Sequence, residues 1–319
     1  MSKRAFLSPG QGAQFAGMGR DLFDSFELAR RYFENADDIL GFSLTKVMFG
    51  SGSEDEEILA EENEALRQTE VGQPALYVHS SICAALLAEK GIKPDVTAGH
   101  SVGEYGALFA ADSISFEDGL RIIRQRGELM GAAGKKRAGT MCAVIGLEND
   151  VVVQLCTDAS TESEVVKAAN FNAPGQVVIS GDVTAVERAA DAAQEAGAGK
   201  TIMLTVSGAF HSPLVEDARL GLAEELRQLK VEIPACPVYL NVTARPSRDP
   251  EEIKNRLIDQ ITAPVRWAQS LQAMQADGVD SYLETGPGRV LSGLVKRTLG
   301  RRERTAQAGS VDQINSIIE

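Results

Sequence analysis

Short apolar runs alternate along the chain with longer segments whose apolar positions recur at helical spacing, which predicts strands feeding helices. Residues 4–7 predict a buried strand opening into Ser8-Pro9-Gly10-Gln11-Gly12-Ala13-Gln14. Helical patterning follows over residues 21–40. The acidic run Glu54-Asp55-Glu56-Glu57, with Glu61 and Glu62, reads as a solvated helix face. Residues 72–90 are largely apolar and predict a long buried helix that stops at Gly91 and keeps His79 as a packed core histidine. A strand over 95–98 then runs into a serine-centred turn and a helix-compatible stretch from Glu104. Ser115 is placed as an N-cap, with Glu117 and Asp118 in the first turn of a helix over 116–130. Residues 131–139, small and basic, predict a flexible boundary.

Beyond that boundary the rhythm changes. Strands are expected over 140–147, 164–170, 176–180 and 201–206, with helices over 148–158 and 182–196. The order β-α-β-β-α-β is that of a ferredoxin-like unit. Alternation of strands and helices then resumes to the last residues, which implies a mostly parallel sheet covered on both faces. The expected class is α/β: an α/β-hydrolase-like large subdomain (1–137 and 204–319) with a parallel sheet, interrupted by a ferredoxin-like small subdomain (138–203).

Composition narrows the class. A chain of 319 residues with 44% hydrophobic and 24% charged positions suits a globular protein, and a formal charge of −13 argues against a general nucleic-acid binder. An anionic ligand must therefore meet a local cationic group. The cysteines, Cys83, Cys142, Cys156 and Cys236, are widely spaced, as reduced buried thiols would be, and suggest neither a disulfide framework nor a metal site. No segment reads as a signal peptide or a membrane span, so a cytoplasmic protein, with nothing demanding more than a monomer, is expected.

The chemistry centres on Gly99-His100-Ser101-Val102-Gly103. Strand, Gly-x-Ser-x-Gly and helix in succession form a nucleophile elbow, which leaves a serine exposed beside the free N–H groups of a helix start. The Gly10–Gly12 loop does not fit a dinucleotide or phosphate fingerprint, because Phe15 takes the third glycine position, but it can lend backbone N–H groups to a site. A serine needs a base, and the chain has three histidines. His79 is core and His100 points away from its neighbour, which leaves His211, in a loop stiffened by Pro213. No carboxylate between serine and histidine is convincing as a third member; a carbonyl could orient the imidazole instead.

The motifs Pro9-Gly10-Gln11-Gly12-Ala13-Gln14, Gly99-His100-Ser101-Val102-Gly103-Glu104, Gln125-Arg126-Gly127, Asn170-x-Asn172-x-Pro174-Gly175-Gln176, Ala209-Phe210-His211-Ser212, Gln260-x-x-x-Pro264-Val265-x-Trp267 and Glu284-x-Gly286-Pro287-Gly288 run from end to end of the chain. In them the chain resembles the malonyl-CoA:acyl carrier protein transacylases and the acyltransferase domains of fatty-acid and polyketide synthases. The resemblance implies that Ser101 carries the acyl group as an ester, that His211 shuttles its proton, and that the main-chain carbonyl of Gln260 orients His211. It implies an oxyanion hole from the backbone N–H groups of Gln11 and Val102. Arg126 would clamp the free malonyl carboxylate, which a planar guanidinium can do through two charge-assisted hydrogen bonds. Phe210 would leave little room for an α-methyl branch, and His100, Asn170 and Asn172 would belong to the substrate channel.

The expected function is malonyl transfer from malonyl-CoA to the phosphopantetheine thiol of acyl carrier protein in fatty acid biosynthesis, with no permanently bound cofactor and the coenzyme A thioester as substrate. Lys135, Lys136, Arg137, Arg297, Arg301 and Arg302 are candidates for meeting an acidic carrier protein. The alternatives are a discrete polyketide-synthase acyltransferase, a serine acyl-hydrolase on the same scaffold, and a non-catalytic binder of acyl-CoA or carrier protein. Arg126 speaks against the hydrolase, since a neutral acyl group gains nothing from a buried cation. An activated serine speaks against the binder.

Overall fold

The computed structural model describes residues 2–318. Its strands are β1 (Arg4–Ser8), β2 (Val96–Gly99), β3 (Gly139–Ile145), β4 (Val166–Ala173), β5 (Gln176–Asp182), β6 (Lys200–Met203), β7 (Val238–Leu240), β8 (Arg245–Ser247), β9 (Ser281–Glu284) and β10 (Arg304–Gln307). They form a six-stranded sheet in the order β10-β9-β1-β2-β7-β8 and a four-stranded sheet in the order β4-β5-β3-β6. In the larger sheet every pairing is parallel except that of β8 with β7. The α/β reading with an elbow on a central parallel strand therefore holds.

Period-two alternation sorts the side chains of the large sheet between two apolar layers. Ala5, Leu7, Val96, Ala98 and Tyr239 pack with Trp267 and Leu271. Phe6, Val238 and Leu240 face the opposite layer, built on the helix Thr69–Glu89. That helix is long and apolar enough to cross a membrane, but 83% of its most apolar window is buried inside the fold, so it is spent on the core. Pro74 lies inside it and supplies no N–H to the Glu70 carbonyl; Arg124 Nη1 donates there instead, at 3.2 Å.

The four-stranded antiparallel sheet has the strand order of a ferredoxin-like unit. Cys142, Val144, Val177 and Ile179 face the helices Asn149–Ala159 and Val183–Glu195, while Met141, Ala143 and Val178 on the other face join the main core. Backbone bonds between Phe171 N and Val265 O (2.9 Å) and between Val265 N and Ala169 O (2.8 Å) tie β4 to the chain just before Trp267.

Several expectations need correction. The helix from Phe116 continues to Lys136, so residues 131–136 are not a flexible boundary. Its small residues are there for close packing: a Cβ on Gly134 would lie 1.9 Å from the Ser207 carbonyl oxygen. Lys135 and Lys136 complement the negative end of the helix dipole. The helical patterning over 21–40 resolves into two helices, Arg20–Ser25 and Glu27–Leu40, separated at the extended Phe26. Asn172 lies within β4 rather than in the loop after it. The helix Leu44–Phe49 and strand β8 carry too little periodicity to be found by pattern.

Candidate active site

Strand β2 ends at Gly99 and the helix Gly103–Ala110 begins four residues on, which holds Ser101 at the tip of a turn with φ 52°. Both glycines are obligatory. A Cβ on Gly99 would meet the Gly103 carbonyl carbon at 1.9 Å, and one on Gly103 would meet the Ser8 carbonyl oxygen at 2.1 Å. Left-handed backbone at a serine costs about 1–2 kcal/mol and persists only where neighbours impose it. Asn241, at the end of β7, supplies that restraint. Its Oδ1 accepts from Ser101 N at 2.7 Å and its Nδ2 donates to Gly99 O at 2.7 Å.

His211, also left-handed at φ 59°, places Nε2 2.8 Å from Ser101 Oγ and Nδ1 2.8 Å from the Gln260 carbonyl. A carbonyl cannot donate, so Nδ1 carries the proton and Nε2 faces the hydroxyl with its lone pair. Burial, with the Arg126 cation adding to it, lowers the pKa of this imidazole to about 3. It is therefore neutral at ordinary pH and open to a proton.

Arg126, 1% exposed, reaches in from the helix Phe116–Lys136. It donates to Gln73 Oε1 at 2.7 Å, to Gln260 Oε1 at 3.0 Å and to Ser101 Oγ at 3.2 Å. All three partners are neutral, so among the described residues no carboxylate forms an ion pair with this buried guanidinium, and Glu104 acts on it only through space. Ser101, His211, Arg126, His100, Asn172 and Phe210 line one cavity of about 410 Å³, which Asn170, Gln11 and Val102 also reach. Among the described residues the backbone N–H groups of Gln11 and Val102 have no acceptor within the chain. His100 does not turn to the serine; its Nε2 lies 2.8 Å from Asn172 Oδ1 and its ring stands edge-on to Trp267.

The family described as acyl transferase domain matches residues 5–315. The chain belongs to that family. This acyltransferase is similar to the malonyl CoA-acyl carrier protein transacylase of Bacillus subtilis (strain 168), with 40% identity over the whole of this chain and 97% of that protein. Among solved structures it is similar to an acyl carrier protein S-malonyltransferase from Vibrio cholerae (38% identity, TM-score 0.91, 99% of this chain and 100% of that one). It is also similar to a malonyl-transacylase solved in complex with a type II PKS acyl-carrier protein (36% identity, TM-score 0.92, 99% of both chains).

Sequence reasoning passed over Asn241, Glu104 and Gln73 of this acyltransferase. Asn241 had a signal, being a polar residue at the carboxyl end of a strand beside the elbow strand, where ligands of open α/β sheets gather. Gln73 had none: one polar residue at the start of an apolar helix reads as an end, not as a site. Three of the basic candidates hold acidic partners within the chain, Lys135 with Glu70, Lys136 with Asp217 and Arg137 with Asp182. Arg297 donates to Gln176. Arg301 and Arg302 are exposed.

Proposed function

We propose that this acyltransferase moves malonyl from malonyl-CoA to the phosphopantetheine thiol of acyl carrier protein, in fatty acid biosynthesis, through a malonyl ester of Ser101. His211 Nε2 takes the hydroxyl proton as Oγ attacks the thioester carbonyl, forming the C–O bond. The Gln11 and Val102 N–H groups receive the negative charge that develops on the carbonyl oxygen. Collapse breaks the C–S bond, and His211 returns its proton to the leaving coenzyme A sulfur. The carrier-protein thiol reverses the sequence: its proton passes to His211, its sulfur takes the acyl carbon, and Ser101 regains its hydrogen. The Gln260 carbonyl keeps the imidazole aligned and stabilises its cationic form.

The observation that carries this reading is the buried Arg126 beside Ser101 Oγ, a cation waiting for an acyl chain that ends in a carboxylate. Malonyl binding also removes one cause of the depressed His211 pKa, because the carboxylate offsets the Arg126 charge. The base thus strengthens when the right acyl group is present. Phe210, 6% exposed, narrows the cavity against α-branched acyl groups. Asn170, Asn172 and His100 line the pantetheine path. No resident cofactor enters these steps, and the coenzyme A thioester is substrate. We further take residues 138–203 as a small subdomain inserted in the large one (1–137 and 204–319), and the protein as a monomer of the cytoplasm, the location being in keeping with four free, buried cysteines.

Brief incubation with malonyl-CoA followed by intact-protein mass measurement tests the proposal. Wild type should gain one malonyl group and Ser101→Ala none. Absence of an adduct on folded wild-type protein refutes it.

A further inference from the structure

Glu104 is 1% exposed in the first turn of the helix Gly103–Ala110, and none of the steps above uses it. Both of its oxygens face donors. Oε1 accepts from Asn241 N at 2.6 Å, and Oε2 accepts from Gln260 Nε2. The Gln260 amide is fully engaged: Nε2 donates to Glu104 and to Ser101 O (3.0 Å), and Oε1 accepts from Arg126 Nη2 (3.0 Å). The same residue's main-chain oxygen accepts from His211 Nδ1. Gln260 thus joins the arginine and His211, and Glu104, with Ser101 O, faces the NH2 side of its amide.

We propose that Glu104 is a positioning residue that acts through the Gln260 side-chain amide to hold Arg126 in place for the substrate carboxylate. An amide has two orientations of nearly equal shape, and only its partners choose between them. With an acceptor at Glu104 the NH2 group turns to it, which leaves the amide oxygen for the guanidinium. Place a donor at 104 and the two donors repel, which drives the amide to turn over at the expense of its Ser101 O bond, so that NH2 faces the guanidinium and two donors oppose each other there. The arginine then loses one of its two side-chain amide acceptors. Burial raises the Glu104 carboxyl to about 8 even with the Asn241 and Gln260 donors and the Arg126 cation lowering it, so the contacts that use its acceptor lone pairs work against burial in favour of the carboxylate.

The inference rests on Arg126 reading the malonyl carboxylate, and the test separates the two. Malonyl-CoA and acetyl-CoA loading onto Ser101 are followed side by side in wild type, Glu104→Gln, Gln260→Met, Arg126→Ala and Glu104→Gln/Arg126→Ala. Gln260→Met cuts the relay while leaving the main-chain carbonyl that orients His211, and it decides the matter if Glu104→Gln fails to fold. A charge-assisted hydrogen bond is typically worth about 1.5–3 kcal/mol, so the ratio of malonyl to acetyl loading should fall on the order of 30-fold in Glu104→Gln and in Gln260→Met. In the Arg126→Ala background Glu104→Gln should change that ratio no further. If Arg126→Ala leaves the ratio at its wild-type value, the carboxylate-clamp reading itself fails. If Arg126→Ala lowers it but the relay variants do not, or if Glu104→Gln lowers it equally with and without Arg126, the role of Glu104 is refuted and the clamp stands.

Discussion

Replacing Asn241 by alanine removes the restraint on the elbow without touching a group placed in the reaction. The side chain is fully buried and satisfies two buried backbone groups, Gly99 O and Ser101 N, each at 2.7 Å. A buried polar group left without its partner costs about 1–3 kcal/mol, so the pair predicts a loss of about 2–6 kcal/mol in unfolding free energy. Ser101 would also lose what holds it at φ 52°, and the hydroxyl would leave the line to His211 Nε2. Asn241→Asp separates the two bonds: it can still accept from Ser101 N but cannot donate to Gly99 O, and it sets a second carboxyl near Glu104. Equilibrium urea unfolding measures the stability, and the burst of malonyl-serine after mixing with malonyl-CoA measures the site. Both variants should be destabilised and should load slowly. A loss in Asn241→Ala below ~1 kcal/mol with a wild-type burst would refute the reasoning, since it would mean that water or backbone relaxation satisfies both groups.

Gly134→Ala puts a Cβ 1.9 Å from Ser207 O, in the segment leading to His211, so thermal stability and loading rate should fall together. His211→Ala should slow loading by about 10²–10⁴-fold with folding intact by circular dichroism, because it deletes general-base assistance. Phe210→Ser should raise methylmalonyl loading relative to malonyl in a competition assay, as the cavity gains room beside the acyl chain. His79 and His211, with pKa values lowered to about 4 and about 3, stay neutral when folded while the unfolded chain protonates near 6.5. Their contribution to stability is complete above that value and declines as pH falls, by at most about 1.4 kcal/mol per pH unit for each. A urea midpoint series from pH 7 to pH 4 should show this, with a shallower slope in His79→Leu.

Much of the architecture was legible because buried parallel strands are short apolar runs and their crossover helices are amphipathic. The correction at residues 131–136 has a plain cause. Gly131 and Gly134 read as breakers, whereas the helix uses them to approach Glu70 and Ser207, a neighbour that local composition does not reveal. The site was legible where chemistry demands a particular residue type at a particular turn. Glycines flanking a serine announce the elbow, and with so few histidines elimination alone leads to His211. Gln73 was opaque because its role consists of a partner 53 positions away, and Asn241 showed only its place at a strand end, since its partner Ser101 lies 140 positions away.

By itself the sequence determined the order of strands and helices, the antiparallel insertion and the serine turn, with one distant histidine left to pair with it, because periodicity and turn chemistry are local properties of a chain. Only the tertiary structure decided that a buried arginine faces that serine with neutral partners alone. It also brought one glutamine to His211 with its backbone and to the arginine with its side chain, and set a buried glutamate against the NH2 group of that side chain. Hydrogen-bond direction and desolvation depend on what lies across a cavity, and four helices and two strand ends must meet before either exists.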